Sequence, residues 1–256
     1  MTTIHPSAIV DKKARLGDQV TIGAFSIVEG DVEIGDGSTI ASHVFVGDGA
    51  RIGSQCSIHK GAVVATVPQD LKFGGEKSLF VIGDNTVIRE FCTLNRGTHE
   101  RGKSSVGANC LLMAYTHVAH DCLIGDKVII ANAVQVAGHV TIEDQAIIGG
   151  LTGIHQFCRV GQHVMVGGGF RIVKDVPPFI LAGGEPLVYA GINSVGLRRR
   201  GFSAESMRNI KNAYRLLYRS HLNVSQAVER IKDELEPTSH IETILEFIKH
   251  SERGLI

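Results

Sequence analysis

Aliphatic residues recur at every sixth position of this chain, at Ile4, Val10, Leu16, Ile22, Val28, Ile34, Ile40, Val46, Ile52, Ile58 and Val64. The same phase returns at Ile82, Ile88 and Leu94. It then runs from Val106 through Leu112, Val118, Ile124, Ile130, Val136, Ile142, Ile148, Ile154, Val160 and Val166 to Ile172. An α-helix would turn residues six apart onto different faces, whereas short strands joined by regular turns aim each of them at one axis. The period therefore predicts a β-solenoid. Gly follows the aliphatic residue at Gly23, Gly35, Gly53, Gly125 and Gly149, among others, which predicts left-handed backbone at those corner glycines. Two residues before the aliphatic position the side chain is small, as at Ser26, Ser38, Ala50, Ala62, Ala146 and Thr152. All five cysteines, Cys56, Cys92, Cys110, Cys122 and Cys158, occupy this same position, so the repeat explains them as core residues without a catalytic, metal or disulfide role.

The phase fails from Ala65 to about Val81 and from Asn95 to Ser105, where VPQDLKFGGEKS and NRGTHERGKSS predict loops extruded from the solenoid. After Ile172 the pattern changes to VPPF and GGEP, and then to helical spacing at Met207, Ile210, Tyr214 and Leu217 behind an N-cap at Ser203. Ala227, Val228, Ile231 and Leu235 follow Ser225 as a second helix, and Ile241, Ile244, Leu245 and Ile248 follow Pro237 as a third. The expected organisation is a solenoid over residues 1–190, with loops near 65–81 and 95–105, and a small helical domain over 191–256 that covers one end. The run Arg198, Arg199, Arg200 lies just before the helices, where guanidinium groups suit a pyrophosphate or simply form a solvated charge run.

Charge limits the partners. Lys and Arg number 26, as do Asp and Glu, so no global field draws the chain to nucleic acid or an anionic membrane. The start MTTIHPSAIV lacks a signal-peptide pattern, and no apolar run is long enough to span a bilayer, so the expected location is the cytoplasm, without stable membrane insertion.

Reactive groups concentrate at His117, His120, Asp121, His139, His155 and Gln156. The six-residue repeat resembles that of the hexapeptide acyltransferases, which implies three repeats per coil; with coils stacked roughly 4.8 Å apart, residues 18 apart would stand above one another. His120, Gly138 and Gln156 then form one column, with Asp121 and His139 in the next. Four histidines on a restricted surface, with a carboxylate beside one of them, mark a functional site.

The [Leu/Ile/Val]-Gly-x-x-x-x repeat resembles the hexapeptide acyltransferases, and this resemblance implies a left-handed parallel β-helix. LLMAYTHVAHDC, AGHVTI, GIHQFCRVG, QDLKFGGE and LRRRGFS are similar to the UDP-N-acetylglucosamine O-acyltransferase family over essentially the whole chain. The resemblance implies a homotrimer that moves a 3-hydroxyacyl chain from acyl carrier protein to UDP-N-acetylglucosamine, the first step of lipid A biosynthesis, with no cofactor and no metal. It implies His120 as general base, Asp121 as its orienting carboxylate and the Gly138 N–H as oxyanion donor. Asp70, Lys72, His117, His139 and Gln156 would bind the sugar nucleotide or position the donor, Asn193, Arg199 and Arg200 would meet the nucleotide end, and His155 and Gly168 would limit the acyl groove. Arg171 and Lys174 are candidate contacts for an acidic carrier. Two positions depart from the family pattern: Val195 stands where Glu is frequent, and Asn95 replaces a His in the NRGT stretch. A 3-amino acceptor giving an amide, or a γ-type carbonic anhydrase with His117, His120 and His139 on a metal, are the alternatives.

Overall fold

The computed structural model describes residues 1–256 and contains the left-handed parallel β-helix as three sheets of 11, 9 and 8 strands, parallel except for the last strand of the largest. Most solenoid strands are two residues long, and consecutive strands go to successive sheets. Registers follow the 18-residue ruler: His117 pairs with Gln135 and Gln135 with Gly153, while Leu123 pairs with Thr141. The aliphatic residues point inward and are almost fully buried, from Ile22 and Ile40 to Val166 and Ile172. The first coil differs, because nothing lies beneath it: inward-facing Ile4 is 44% exposed, and Val10 and Leu16 are only half-buried.

The five cysteines are buried and unpaired at the small inward positions. Burial pushes the Cys122 thiol up to about 12 and those of Cys92, Cys110 and Cys158 to about 11. At neutral pH they are unreactive packing groups.

The corner glycines serve a purpose other than the predicted one. Left-handed backbone falls two residues after the expected glycine, on Phe25, Gln55, Asn85, Asn109, Lys127, Leu151 and equivalent residues. The glycines themselves are needed for close stacking: a Cβ on Gly23 would lie 2.7 Å from the Ala41 carbonyl carbon, and one on Gly149 would lie 2.4 Å from the Gly168 nitrogen. Steric approach of one coil to the next selects Gly there.

One corner is stitched by carboxylates. The N–H groups of Asp18, Ser54, Ala108 and Asp126 donate to Oδ1 of Asp36, Asp84, Asp126 and Asp144, each one coil further on, at 2.7–2.8 Å. A second corner carries apolar residues: Phe25 stacks on His43 and Phe91 on Tyr115, with Leu151 75% exposed further along. His120 lies on the third corner.

Both interruptions are shorter than the lost phase suggests. Strands Val63–Thr66 and Leu79–Ile82 extend into the first, leaving 67–78, and Thr93–Asn95 and Lys103–Val106 extend into the second, leaving 96–102. They are tied together, with Asn95 Nδ2 donating to Thr66 Oγ1 at 2.8 Å and His99 N–H to Glu76 Oε1 at 3.0 Å.

Past the solenoid, Ile180–Gly183 extends the largest sheet in parallel and Val188–Ile192 returns antiparallel. Four helices follow: α1 (Ser194–Arg199), α2 (Ala204–Arg219), α3 (Val224–Glu234) and α4 (Ser239–Lys249). Ser203 caps α2 as expected, and α3 begins at Val224, just before Ser225, capped by Asn223 in a capping box with Gln226. Helix α1 carries Arg198 and Arg199, a segment expected to precede the helices. Apolar faces of α2 and α4 close the end of the prism: the buried Tyr214 hydroxyl donates to Pro178 O at 2.5 Å, and the Arg159 guanidinium lies over the Phe247 ring. The tail returns to the last coil, where Ser251 Oγ donates to Asp175 Oδ2 at 2.7 Å. No helix is long and apolar enough to cross a membrane.

Candidate active site

The corner between strands His117–Val118 and Leu123–Ile124 carries His120 and Asp121. Asp121 adopts the left-handed corner conformation, φ 58°, and is fully buried. His120 Nδ1 lies 2.9 Å from Asp121 Oδ2. Because an ionised carboxylate only accepts, this contact assigns the proton to Nδ1 and leaves Nε2 with a free lone pair. Burial alone would raise the Asp121 carboxyl, but hydrogen bonds from His120 and Thr98 outweigh it and hold the group below its usual value. The carboxylate is therefore charged at neutral pH and supports the positive charge His120 acquires when protonated.

One coil on, the predicted column is present: His139 N–H donates to His120 O at 3.0 Å, and Phe157 N–H to Gly138 O at 3.2 Å. A Cβ on Gly138 would fall 2.7 Å from His120 Cε1 and 2.8 Å from Nε2, so only glycine leaves the imidazole this position. No protein group accepts from the Gly138 N–H. A base and an unclaimed backbone donor thus stand side by side.

They line a cavity of about 560 Å³ together with Gln69, His117, His155 and Gln156. Thr93 Oγ1 orients His117 through Nδ1 at 2.8 Å, and burial lowers the His117 pKa. His155 Nδ1 is met by Arg253 from the tail at 3.2 Å, and Arg171 lines the same cavity while pairing with Glu185 at 3.4 Å.

Other expected site residues lie elsewhere in the single chain. His139 is behind Asp121, 3.8 Å from Oδ2, stacked on Phe157 and lowered in pKa by burial. Asp70 and Lys72 form a turn in the first insertion, where Lys72 N–H donates to Asp70 Oδ1, and neighbouring Gln69 rather than either of them lines the cavity. Gly168 belongs to the apolar corner, packed beside Gly150. Asn193 caps α1 and donates to His163 O at 2.9 Å, and Arg200 donates to Gln145 O at 2.9 Å, both on the aspartate corner. Arg199 is exposed on α1. Of the three histidines of the metal alternative, His120 and His139 bring ring nitrogens within 4.8 Å of one another and of an Asp121 carboxylate oxygen, and His117 is not part of that group.

Sequence reasoning missed Thr93, Thr98 and Arg101, which hold the site from the edges of the second insertion. Thr93 could have been found from its place on the aliphatic phase beside Leu94, one coil before His117.

The residues 175–256 match the family model described as UDP N-acetylglucosamine O-acyltransferase, domain 2, and 13–48 and 103–138 match bacterial transferase hexapeptide repeats. The acyl-carrier-protein-dependent UDP-N-acetylglucosamine O-acyltransferase of Thiobacillus denitrificans is 48% identical over 257 residues, covering 100% of both chains. Crystal structures of UDP-N-acetylglucosamine acyltransferases are equally close in form. The Bacteroides fragilis protein has a TM-score of 0.97 at 48% identity over 98% of this chain and 99% of that one, and the Francisella novicida protein has 0.97 at 39% over 99% and 94%. With its repeat, its terminal helices and its full length all matched, this chain belongs to the UDP-N-acetylglucosamine O-acyltransferase family.

Proposed function

We propose that this chain transfers a 3-hydroxyacyl group from acyl carrier protein to the 3-hydroxyl of UDP-N-acetylglucosamine, opening lipid A biosynthesis, with His120 as general base. The observation that carries the reading is the His120–Asp121 pair facing a cavity beside the unclaimed Gly138 N–H. His120 Nε2 takes the hydroxyl proton as that oxygen attacks the thioester carbonyl carbon. Asp121 accepts from Nδ1–H and balances the imidazolium, and Gly138 N–H donates to the oxyanion of the tetrahedral intermediate. Collapse breaks the carbon–sulfur bond, the leaving thiolate regains the proton from Nε2, and the products are the ester and the free carrier thiol. His117 and Gln156 line the cavity where the sugar nucleotide binds.

The active form is a homotrimer. Support comes from the spread of the expected ligand residues over all three corners: His120 on one, Gly168 on the apolar one, and Asn193 and Arg200 against the aspartate one. In one prism these groups face apart, and copies packed side by side bring different corners together. His139, Asp70, Lys72 and Arg199 then position ligand from around the cleft, and His155 and Gly168 bound the acyl groove.

The test measures transfer from 3-hydroxyacyl carrier protein to UDP-N-acetylglucosamine, without added metal, for the intact protein and His120→Ala, with the 3-amino sugar nucleotide as a second acceptor. The intact protein transfers to the hydroxyl acceptor, and His120→Ala loses about 10²- to 10⁴-fold in kcat. Light scattering gives three times the 27.5 kDa chain mass. Equal rates in the two proteins would remove His120 from the mechanism, and transfer to the amino acceptor alone would make the product an amide.

A further inference from the structure

The second insertion folds back onto the catalytic corner instead of reaching outward. Thr98, 3% exposed, gives both of its donors to Asp121: N–H to Oδ1 at 3.0 Å and Oγ1–H to Oδ2 at 2.7 Å. Its hydroxyl oxygen accepts from the Glu100 N–H at 3.3 Å, which leaves the hydroxyl hydrogen for the carboxylate. Arg101 Nη1 donates to Asp121 O at 3.0 Å, and Gly102 N–H closes the turn on Thr98 O at 2.7 Å. At its start the loop is pinned by Asn95 to Thr66 and Val67.

These contacts fix the plane of a buried carboxylate. Oδ2 receives Thr98 Oγ1–H and His120 Nδ1–H together, so the direction in which Asp121 accepts from the imidazole depends on the threonine. A carboxylate held by His120 alone could rotate, and the imidazole would rotate with it.

We propose that Thr98 is a positioning residue for the His120–Asp121 pair, which makes the second insertion part of the catalytic apparatus. The inference rests on the assignment of His120 as base. Thr98 never meets substrate; it acts through Asp121 on the aim of Nε2. Loss of its hydroxyl has two effects. Nε2 departs from the line of attack, which lowers kcat. Asp121, relieved of a competing donor, accepts more strongly from Nδ1–H and favours the imidazolium, which moves the acid limb of the pH profile of kcat/KM upward.

The experiment compares Thr98→Val, close to threonine in shape, with Thr98→Ser, which keeps the hydroxyl, in the full-length protein. Thr98→Val loses about 10- to 100-fold in kcat, with KM for UDP-N-acetylglucosamine within about twofold of the parent and the acid limb shifted upward. Thr98→Ser restores rate and profile. If Thr98→Val unfolds, Thr98→Ala carries the same comparison, since it deletes the donor and keeps the backbone bond. His120→Ala run alongside separates the two ideas. An inactive His120→Ala beside an unaltered hydroxyl-deleted variant overturns the role of Thr98 alone. Equal losses in the serine and hydroxyl-deleted variants overturn it too, and an active His120→Ala overturns the base assignment and this role together.

Discussion

At the corner carrying Asp126 and Asp144, Asp126 gives its N–H to the Asp144 carboxylate one coil further on, whereas at the corner carrying His120 and Gly138 the equivalent N–H of Gly138 meets no acceptor. The backbone is the same at both. Lys127 and Gln145 have φ of 56° and 60°, and Asp121 and His139 have 58° and 63°. Only the side chain one coil above differs: Asp144 over Asp126 closes the gap, and Gln156 over Gly138 leaves it open. The repeat supplies the same donor at both turns: Asp144 takes the one at Asp126, and the one at Gly138 stays unclaimed beside His120, as the proposed oxyanion role requires. On the proposed mechanism, the site depends on the omission of a structural contact as much as on the addition of a reactive group.

The comparison can be broken most severely at Gly138. Gly138→Ala places a Cβ 2.7 Å from the His120 ring, and the half-buried imidazole has to move. The expected loss in kcat is about 10³-fold, from misplacement of base and donor together, while the melting temperature changes little because the backbone there needs no left-handed φ. Normal turnover in a folded Gly138→Ala protein would mean that neither group acts from this position.

A milder change converts one corner into the other. Gln156→Asp puts a carboxylate where Asp144 stands relative to Asp126, so it captures the Gly138 N–H. The protein is expected to fold with equal or slightly higher stability and to lose about 10²-fold in kcat, the usual cost of one oxyanion donor. Unchanged kcat would show that the donor comes from elsewhere. The smallest effect belongs to the reverse corner. Asp126→Ala removes the acceptor of the Ala108 N–H, and should cost about 0.5–1.5 kcal/mol in denaturant unfolding with activity preserved. A large activity loss there would deny that the corners work independently.

The sequence made the prism legible because one local rule, an aliphatic residue every six positions, governs burial, register and stacking at once. From it followed the core, the inert cysteines and the column of His120, Gly138 and Gln156. The rule failed where its phase is interrupted: no ruler crosses residues 96–102, so the bonds from Thr98 to Asp121 were invisible, and the segment looked extruded because its residues are polar. The conformation of the corner glycines was misread because composition records a missing Cβ but not which of its two uses, positive φ or close approach, is at work. Helix α1, six residues long with Gly196 inside it, is too short to display an apolar period. The aspartates at 18, 36, 84, 126 and 144 did carry a readable signal, a carboxylate directly after Gly or Glu at the turn, that a search for reactive clusters passes over.

The two ends of the solenoid are finished differently, and this has a consequence for where the molecule opens. The last coil is roofed by α2, α4 and the returning tail, while the first coil leaves Ile4 exposed and Val10 and Leu16 only half-buried, with its strands paired on one side only. In a stack whose units touch only their neighbours, thermal fraying starts at the unroofed end and must peel coils in order. The His120 coil lies several layers inward and is further clamped by the second insertion. Its amides should therefore exchange with solvent only in rare, near-global openings, so that the catalytic geometry persists while the amino-terminal layers breathe.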